Sequence, residues 1–434
     1  MESVISAVRC HINHNIHRQI HRHAHIRGAI LCLIGAAILL TPSLARPEEE
    51  ALVNGVVHIR NGSTPQKGID TYHLEELWRL GGADDETIFG LISQVISDSE
   101  GNLYLLDTQL SEIRVISPDG APLGTLSHEG DGPGEVRQPF DLDFMPDGTL
   151  GMAQMFPGKI VKVDKEGHPA GDLAVGGQDP TQGGFAVLLD VSVKGGNLFL
   201  AGINITMAEG IQNLTSFLSK YAETGEEKVR YLEKATTLDF SNIEIIERDR
   251  YFVFPRRWDV DAEGNVYAAA ERDRYAIHVW TPDGTLKRVI EREFQPWKRN
   301  EKDLGRIQAV MNGQTSRFPT EVKTEIEEYE VAINTIHIDG DGMIWVISSR
   351  GNHDQPDGIM QTYDLFSPEG HFVRQVAIAC EGRGEDDGLI FVENDRVVLV
   401  KGLIDAAVSL QGGVGAGEDD EAEPMEVICY RIQK

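Results

Sequence analysis

A recurring pair of tight turns constrains this chain more than any other feature of its sequence. Between Gln94 and Leu126 an apolar strand enters Asp98-Ser99-Glu100-Gly101-Asn102, continues as Leu103-Tyr104-Leu105-Leu106 and Ile113-Arg114-Val115-Ile116, and turns at Ser117-Pro118-Asp119-Gly120. The pattern returns as Asp261-Ala262-Glu263-Gly264-Asn265, Val266-Tyr267, Ile277-His278-Val279-Trp280 and Thr281-Pro282-Asp283-Gly284. Looser copies carry Pro146-Asp147-Gly148 with Lys165-Glu166-Gly167, Gly195-Gly196-Asn197 with Thr224-Gly225, and Asp339-Gly340-Asp341-Gly342 with Ser367-Pro368-Glu369-Gly370; a degraded copy surrounds Asn394-Asp395. Proline presets φ, aspartate closes an Asx turn, and glycine takes the positive φ that a tight hairpin needs. Each unit therefore reads as a four-stranded antiparallel meander.

A lone meander cannot bury both of its faces, whereas copies stacked around an axis bury them and protect most strand edges. Six copies fit Leu91 to Lys434, which predicts an all-β, six-bladed β-propeller of four-stranded antiparallel blades; five or seven blades stay open. A small helical insertion is expected between blades four and five, from the helix-like stretches Arg299 to Met311 and Pro319 to Tyr329. Residues 46–90 are expected to close the ring, with Val56 to Arg60 and His73 to Leu80 pairing with the strands of the last blade, and residues 91–434 to form the propeller.

Residues 1–45 read as a signal peptide, because Arg9, Arg18, Arg22 and Arg27 precede the apolar run Ala29 to Leu40 and the small-residue site Ser43-Leu44-Ala45. That run is shorter than the roughly 20 residues of a membrane-spanning helix, so no stable span is expected after cleavage, although an uncleaved anchor stays open. The six histidines between His11 and His25 lie in the segment to be removed. Without it the chain keeps 36 basic and 68 acidic residues, a net charge near −32 that excludes nucleic acid as a partner. The acidic run from Gly417 to Glu423 reads as a solvated loop, and Cys380 and Cys429 are either bridged or buried as free thiols.

The linker Gly130-Asp131-Gly132-Pro133-Gly134-Glu135 followed by Pro139, the Gly-Asn-Leu-Tyr turn and the strand ending in Asp107 together resemble NHL-repeat propellers, above all exported bacterial six-bladed ones. The resemblance implies the fold and says little of activity. Amidating lyases on related propellers use several axial histidines, where this chain offers His337 on its inner strands; gluconolactonase-like hydrolases need a Glu/Asn/Asp calcium set, which finds no match around the first strand.

In such blades every long insertion falls on one face: Gly202 to Thr215, Arg292 to Ala332, Ser348 to Gln361 and Gly402 to Pro424. Aligning inner strands on the turn glycine places Ile96, Asp143, Val191, Asp259, His337 and Ile390 in one row, and Gln94, Asp141, Leu189, Arg257, Thr335 and Gly388 in the row nearer the mouth. Asp141, Asp143, Arg257, Asp259 and His337 are thus expected to converge near the axis as a ligand pocket, or else as an ion-pair network between blades. Arg137, Arg256, Arg272, Arg274, Arg350 and Arg383 are placed on the same loop-rich face, able to receive an anionic group. The leading expectation is an exported, periplasmic or secreted binding module that holds a protein, peptide or glycan partner of the cell envelope. The alternative is a metal-dependent lyase or hydrolase with a divalent cation at Asp143, Asp259 and His337.

Overall fold

The computed structural model describes residues 49–175, 184–316, 318, 322–393, 395–410 and 424–433, so the expected signal segment and the acidic run lie outside the described residues. The first strands are β1 (Glu49–Val53), β2 (Val56–Asn61) and β3 (Ile69–Gly81). Three four-stranded meanders follow: β4 (Ile92–Ser97), β5 (Leu103–Asp107), β6 (Glu112–Ile116) and β7 (Pro122–Leu126); β8 (Pro139–Phe144), β9 (Leu150–Gln154), β10 (Lys159–Val163) and β11 (Pro169–Ala174); and β12 (Gly184–Lys194), β13 (Asn197–Ala208), β14 (Ile211–Tyr221) and β15 (Glu227–Asp239). Then come β16 (Glu244–Ile246), α1 (Glu247–Arg250), β17 (Trp258–Val260), β18 (Val266–Ala268), β19 (Ala276–Trp280) and β20 (Leu286–Arg292). Helix α2 (Glu301–Thr315) and β21 (Lys323–Glu325) precede β22 (Ile333–Ile338), β23 (Ile344–Ser348), α3 (Ser349–Asn352), β24 (Gln361–Phe366) and β25 (Phe372–Ala379). The last elements are β26 (Gly388–Val392), β27 (Arg396–Lys401), α4 (Leu403–Leu410) and β28 (Glu426–Gln433).

The result is mostly β and propeller-like, and its turns show why the motif recurs. Asp98 Oδ1 accepts the amides of Glu100 (3.0 Å) and Asn102 (2.9 Å), and Oδ2 accepts the Tyr104 hydroxyl (3.2 Å). Asp261 repeats this with Glu263, Asn265 and Tyr267, and Asp339 with Asp341, Met343 and the Trp345 indole. An aspartate therefore closes each turn and also anchors the aromatic residue six positions on, whose ring enters the core. Gly101 and Gly264 take φ of 86° and 83° in these turns, where a side chain would be strained.

Adjoining meanders bury apolar faces against each other. Leu106, Ile113 and Val115 pack with Leu142, Met152 and Val161; Leu188, Leu198 and Phe217 with Ala153 and Ile160; and Leu103, Leu105 and Ile116 of the first meander with Val398, Val400 and Val427 of the last. Each fully buried large aliphatic contributes about 1.5–3 kcal/mol relative to exposure.

His73 to Leu80, within β3, pairs antiparallel with β28, while the first part of the same strand, Ile69 to His73, pairs parallel with β25. Val56 to Arg60 lies elsewhere than expected: β2 pairs parallel with β20, not with the last meander. The buried Asn61 amide holds it there by donating to the carbonyls of Glu291 and Gly370, both at 3.0 Å, and accepting the Phe372 amide at 2.8 Å.

Two segments differ from expectation, one read as a loop insertion and one as helix-like. Gly202 to Thr215 is a continuous hairpin of β13 and β14, turned at Glu209-Gly210 with φ of 52° and 81°. Lys323–Glu325, inside the second helix-like stretch, is a strand paired parallel with β16, because its residues complete a ladder rather than an apolar stripe; residues 319–321 lie outside the described residues. Helix α2 forms as expected but starts at Glu301, where Asn300 and Asp303 make a reciprocal capping box. Cys380 and Cys429 are free thiols. Among the described residues no helix is long and apolar enough to cross a membrane.

Candidate functional site: a cavity lined by the first strands

A β-bulge precedes the same position on four inner strands. The register shifts between Ile92 and Gln94, Pro139 and Asp141, Leu188 and Asp190, and Ile333 and Thr335. A bulge leaves one residue unpaired and re-aims the side chain that follows, and Gln94, Asp141, Asp190 and Thr335 all line one cavity of about 240 Å³. Ahead of β17, Arg256 enters the same cavity with a φ of 57°, its carbonyl accepting the Ile336 amide at 2.9 Å. Ile96, Asp143, Ser192, Lys194, Asp259, His337, Ile390 and Phe391 add to the lining, so β4, β8, β12, β17, β22 and β26 all contribute.

Most of the carboxylates are engaged by the neighbouring strand. Asp141 Oδ2 accepts the Val191 amide at 2.8 Å and Oδ1 accepts Gln94 Nε2 at 2.8 Å. Asp143 Oδ2 accepts the Val193 amide and Asp259 Oδ2 the Ile338 amide, both at 2.7 Å. Asp190 Oδ2 accepts the Trp258 indole at 2.9 Å. Each aspartate thus satisfies a backbone or indole donor of the next inner strand that would otherwise be buried without a partner.

Burial acts on all four carboxylates and the outcome depends on their neighbours. It pushes Asp143 up to about 7 against the Val193 N–H and Lys194. It also raises Asp141, and raises Asp190 further through the negative charge of Asp141. At Asp259 burial is outweighed by His337, Lys194 and the Ile338 N–H, which hold the carboxyl below its ordinary value. His337 Nδ1 lies 3.4 Å from Asp259 Oδ2, and its ring stacks on Phe391 at 5.0 Å with 8° between planes. The Arg256 guanidinium, its acidity raised by burial, donates to the Ser93 carbonyl and is in no ion pair among the described residues.

The cavity therefore gathers Asp141, Asp143, Asp259, His337 and Arg256 from the expected residues, and leaves out Arg257, Arg137, Arg272 and Arg350. Arg257 is turned away, donating to the Phe254 carbonyl at 2.9 Å and lying over the Tyr251 ring. Arg137 pairs with Asp131 at 2.7 Å on the surface. Arg272 is buried against Glu247 (2.8 Å) and Asp273 (2.7 Å), and Arg350 donates to the Gln295 carbonyl over the Trp297 ring. Asp143, Asp259 and His337 do not form one of the triads whose ligand atoms all lie within 4.8 Å of one another, so the expected cation set is not assembled. Asp143 and Asp259 each turn one oxygen to an amide of the next strand instead of toward a shared point.

Asp190, Lys194 and Tyr363 line the cavity and escaped the sequence alignment, and Arg256, expected on the loop-rich face outside the inner row, takes the place assigned to Arg257. The turn after β12 has two residues between paired Lys194 and Asn197, whereas five separate Ser97 from Leu103. Aligning on glycine therefore chose Leu189 instead of Asp190, and one residue of slip moves a strand side chain to the opposite face. Turn length was the available signal.

No family model and no curated protein matches the chain. Among solved structures it is similar to a candidate exported protein of Bacteroides fragilis, at 10% identity over 84% of this chain and 100% of that one, with a TM-score of 0.46. It is also similar to a DUF4221 family member of Bacteroides vulgatus (12% identity, 84% and 99% covered, TM-score 0.47). A third is regucalcin, a calcium-binding protein from Agrobacterium tumefaciens (12%, 83% and 94%, TM-score 0.41). Likeness of this degree transfers no activity to the present chain.

Proposed function

We propose that the chain is an exported six-bladed β-propeller, NHL-repeat-like, that binds a small organic acid in its central cavity. The blade count is supported by the six inner strands around one cavity and by apolar packing between the last meander and the first. In this reading β3 supplies the outer strand of the sixth blade and closes the ring. Export rests on the basic stretch, apolar run and small-residue site within residues 1–45.

The observation that carries the binding reading is Arg256. A guanidinium has five N–H donors in a fixed fork that suits a carboxylate. Buried arginines of this chain such as Arg272 and Arg299 spend that fork on Glu247, whereas Arg256 makes one backbone hydrogen bond and otherwise faces the cavity. Trp258, Phe391 and Tyr363 supply apolar wall, and Lys194 and His337 supply further cationic or donor groups. A cavity of about 240 Å³ suits a small molecule rather than a macromolecular segment. A channel cation at Asp143, Asp259 and His337 is the less favoured alternative, given the amides those carboxylates already accept.

Thermal unfolding with a panel of hydroxy acids, amino acids and uronic acids tests the reading. At least one acid is expected to raise the midpoint of the wild type and to leave Arg256→Gln unmoved. No stabilising acid, or an equal rise in the variant, overturns it.

A further inference from the structure

A separate set of side chains, away from the cavity, has metal-binding chemistry. Asp303 on α2, His353 just after α3 and Glu385 ahead of β26 bring one ligand atom each within 4.8 Å of one another. We propose that these three residues bind a divalent transition cation of the zinc class, which ties the inserted helix to the loops after β23 and β25.

The donor set is one imidazole and two carboxylates, a combination that zinc accepts at about 2.0–2.2 Å, with a fourth position left for water. Tetrahedral ligands at that radius stand about 3.3 Å apart; His353 Nδ1 and Glu385 Oε1 share a hydrogen bond at 3.0 Å, whose proton the ion would replace with little movement of either side chain. Asp303 and His353 are 6% and 7% exposed, while the Glu385 side chain is 30% exposed and forms the open side of the site. Metal ligands are commonly oriented by an outer layer of hydrogen bonds, and Trp297 supplies one here. Its ring lies flat on His353, 5.0 Å between centroids and 2° between planes, while its Nε1 donates to Asp303 Oδ2 at 3.2 Å. The Asn300 amide donates to the same oxygen at 2.9 Å. Asp303 is thus held through one oxygen by two donors, and His353 has its ring plane set. Two cations adjoin the set: Lys302 is committed to Asp386 at 2.9 Å and stands 3.9 Å from Glu385 Oε2, and Arg306 donates to the Glu385 carbonyl at 2.9 Å and pairs with Asp386.

The test is Zn²⁺ titration of the chelator-stripped full chain, followed by calorimetry and by tryptophan fluorescence, in wild type, His353→Ala and Glu385→Gln. Both variants keep the histidines between His11 and His25, so any binding there cancels in the comparison. The expected result is one equivalent fewer in each variant and loss of the fluorescence change. Trp297→Phe, which keeps a stacking ring and loses the donor to Asp303, is expected to weaken this equivalent about 10-fold. Glu385→Gln is the milder change and decides the matter if His353→Ala fails to fold. Unchanged stoichiometry in a folded variant overturns the proposal, as does a wild type that binds no Zn²⁺ outside the N-terminal histidines.

Discussion

The aspartates of the hairpin turns and those of the cavity do different work with the same side chain. Asp98, Asp261 and Asp339 serve residues two and four positions ahead, so each turn is closed by its own neighbours. Asp141, Asp143 and Asp259 serve amides about 50 to 80 residues away, on the next inner strand. Environment separates them further: Lys165 and Asn102 hold Asp98 down to about 2 against burial, while burial pushes Asp143 up to about 7. Local satisfaction makes a turn, and distant satisfaction makes an interface between sheets.

Removing the distant kind is expected to cost most. Asp141→Ala strands the Val191 amide and Gln94 Nε2 in a buried setting, and should lower unfolding free energy by about 3–5 kcal/mol in urea denaturation. Asp98→Ala loses several hydrogen bonds too, and Asp98 is also buried, but most of them come from its own turn, which can relax locally, so the change should cost about 1–2 kcal/mol. Equal losses at the two sites would erase the distinction.

The pH dependence sharpens it, because the two groups act with opposite sign. A carboxyl raised in the folded state binds its proton more tightly there, so Asp143 contributes stability below about pH 4 that is lost as pH rises toward about 7. Asp98 and Glu247, both lowered to about 2, contribute stability above about pH 4 that is lost as pH falls toward about 2. Urea midpoints across this range should fall on both sides of a maximum, and Asp143→Asn should flatten only the upper limb. A flattened acid limb instead would reverse the assignment.

The smallest effect on stability is expected at Arg256→Gln, under about 1 kcal/mol, since one backbone hydrogen bond is exchanged for relief of a buried charge. A loss of several kcal/mol would mean that Arg256 belongs with the structural aspartates rather than with a ligand.

The repeat was legible because its physics is local: the Asp98, Asp261 and Asp339 turns sit in the same order with an aromatic residue six positions on. The site was legible where turn length repeated, at Asp141, Asp143, Asp259 and His337. It failed at Asp190, where the turn is shorter, and at Arg256, where a left-handed residue exchanges the roles of two adjacent arginines. The hairpin from Gly202 to Thr215 looks like a loop in sequence because β13 and β14 run on past the length of the other meanders.

The chain's own order of turns and apolar runs determined that it would form meanders and that they would need one another's faces. Which side chains meet was decided only in three dimensions. The carboxylate that finds a distant amide, the arginine left unpaired and the strand that β2 joins all depend on register between sheets, and register between segments distant in sequence is a property of packing that no local pattern encodes.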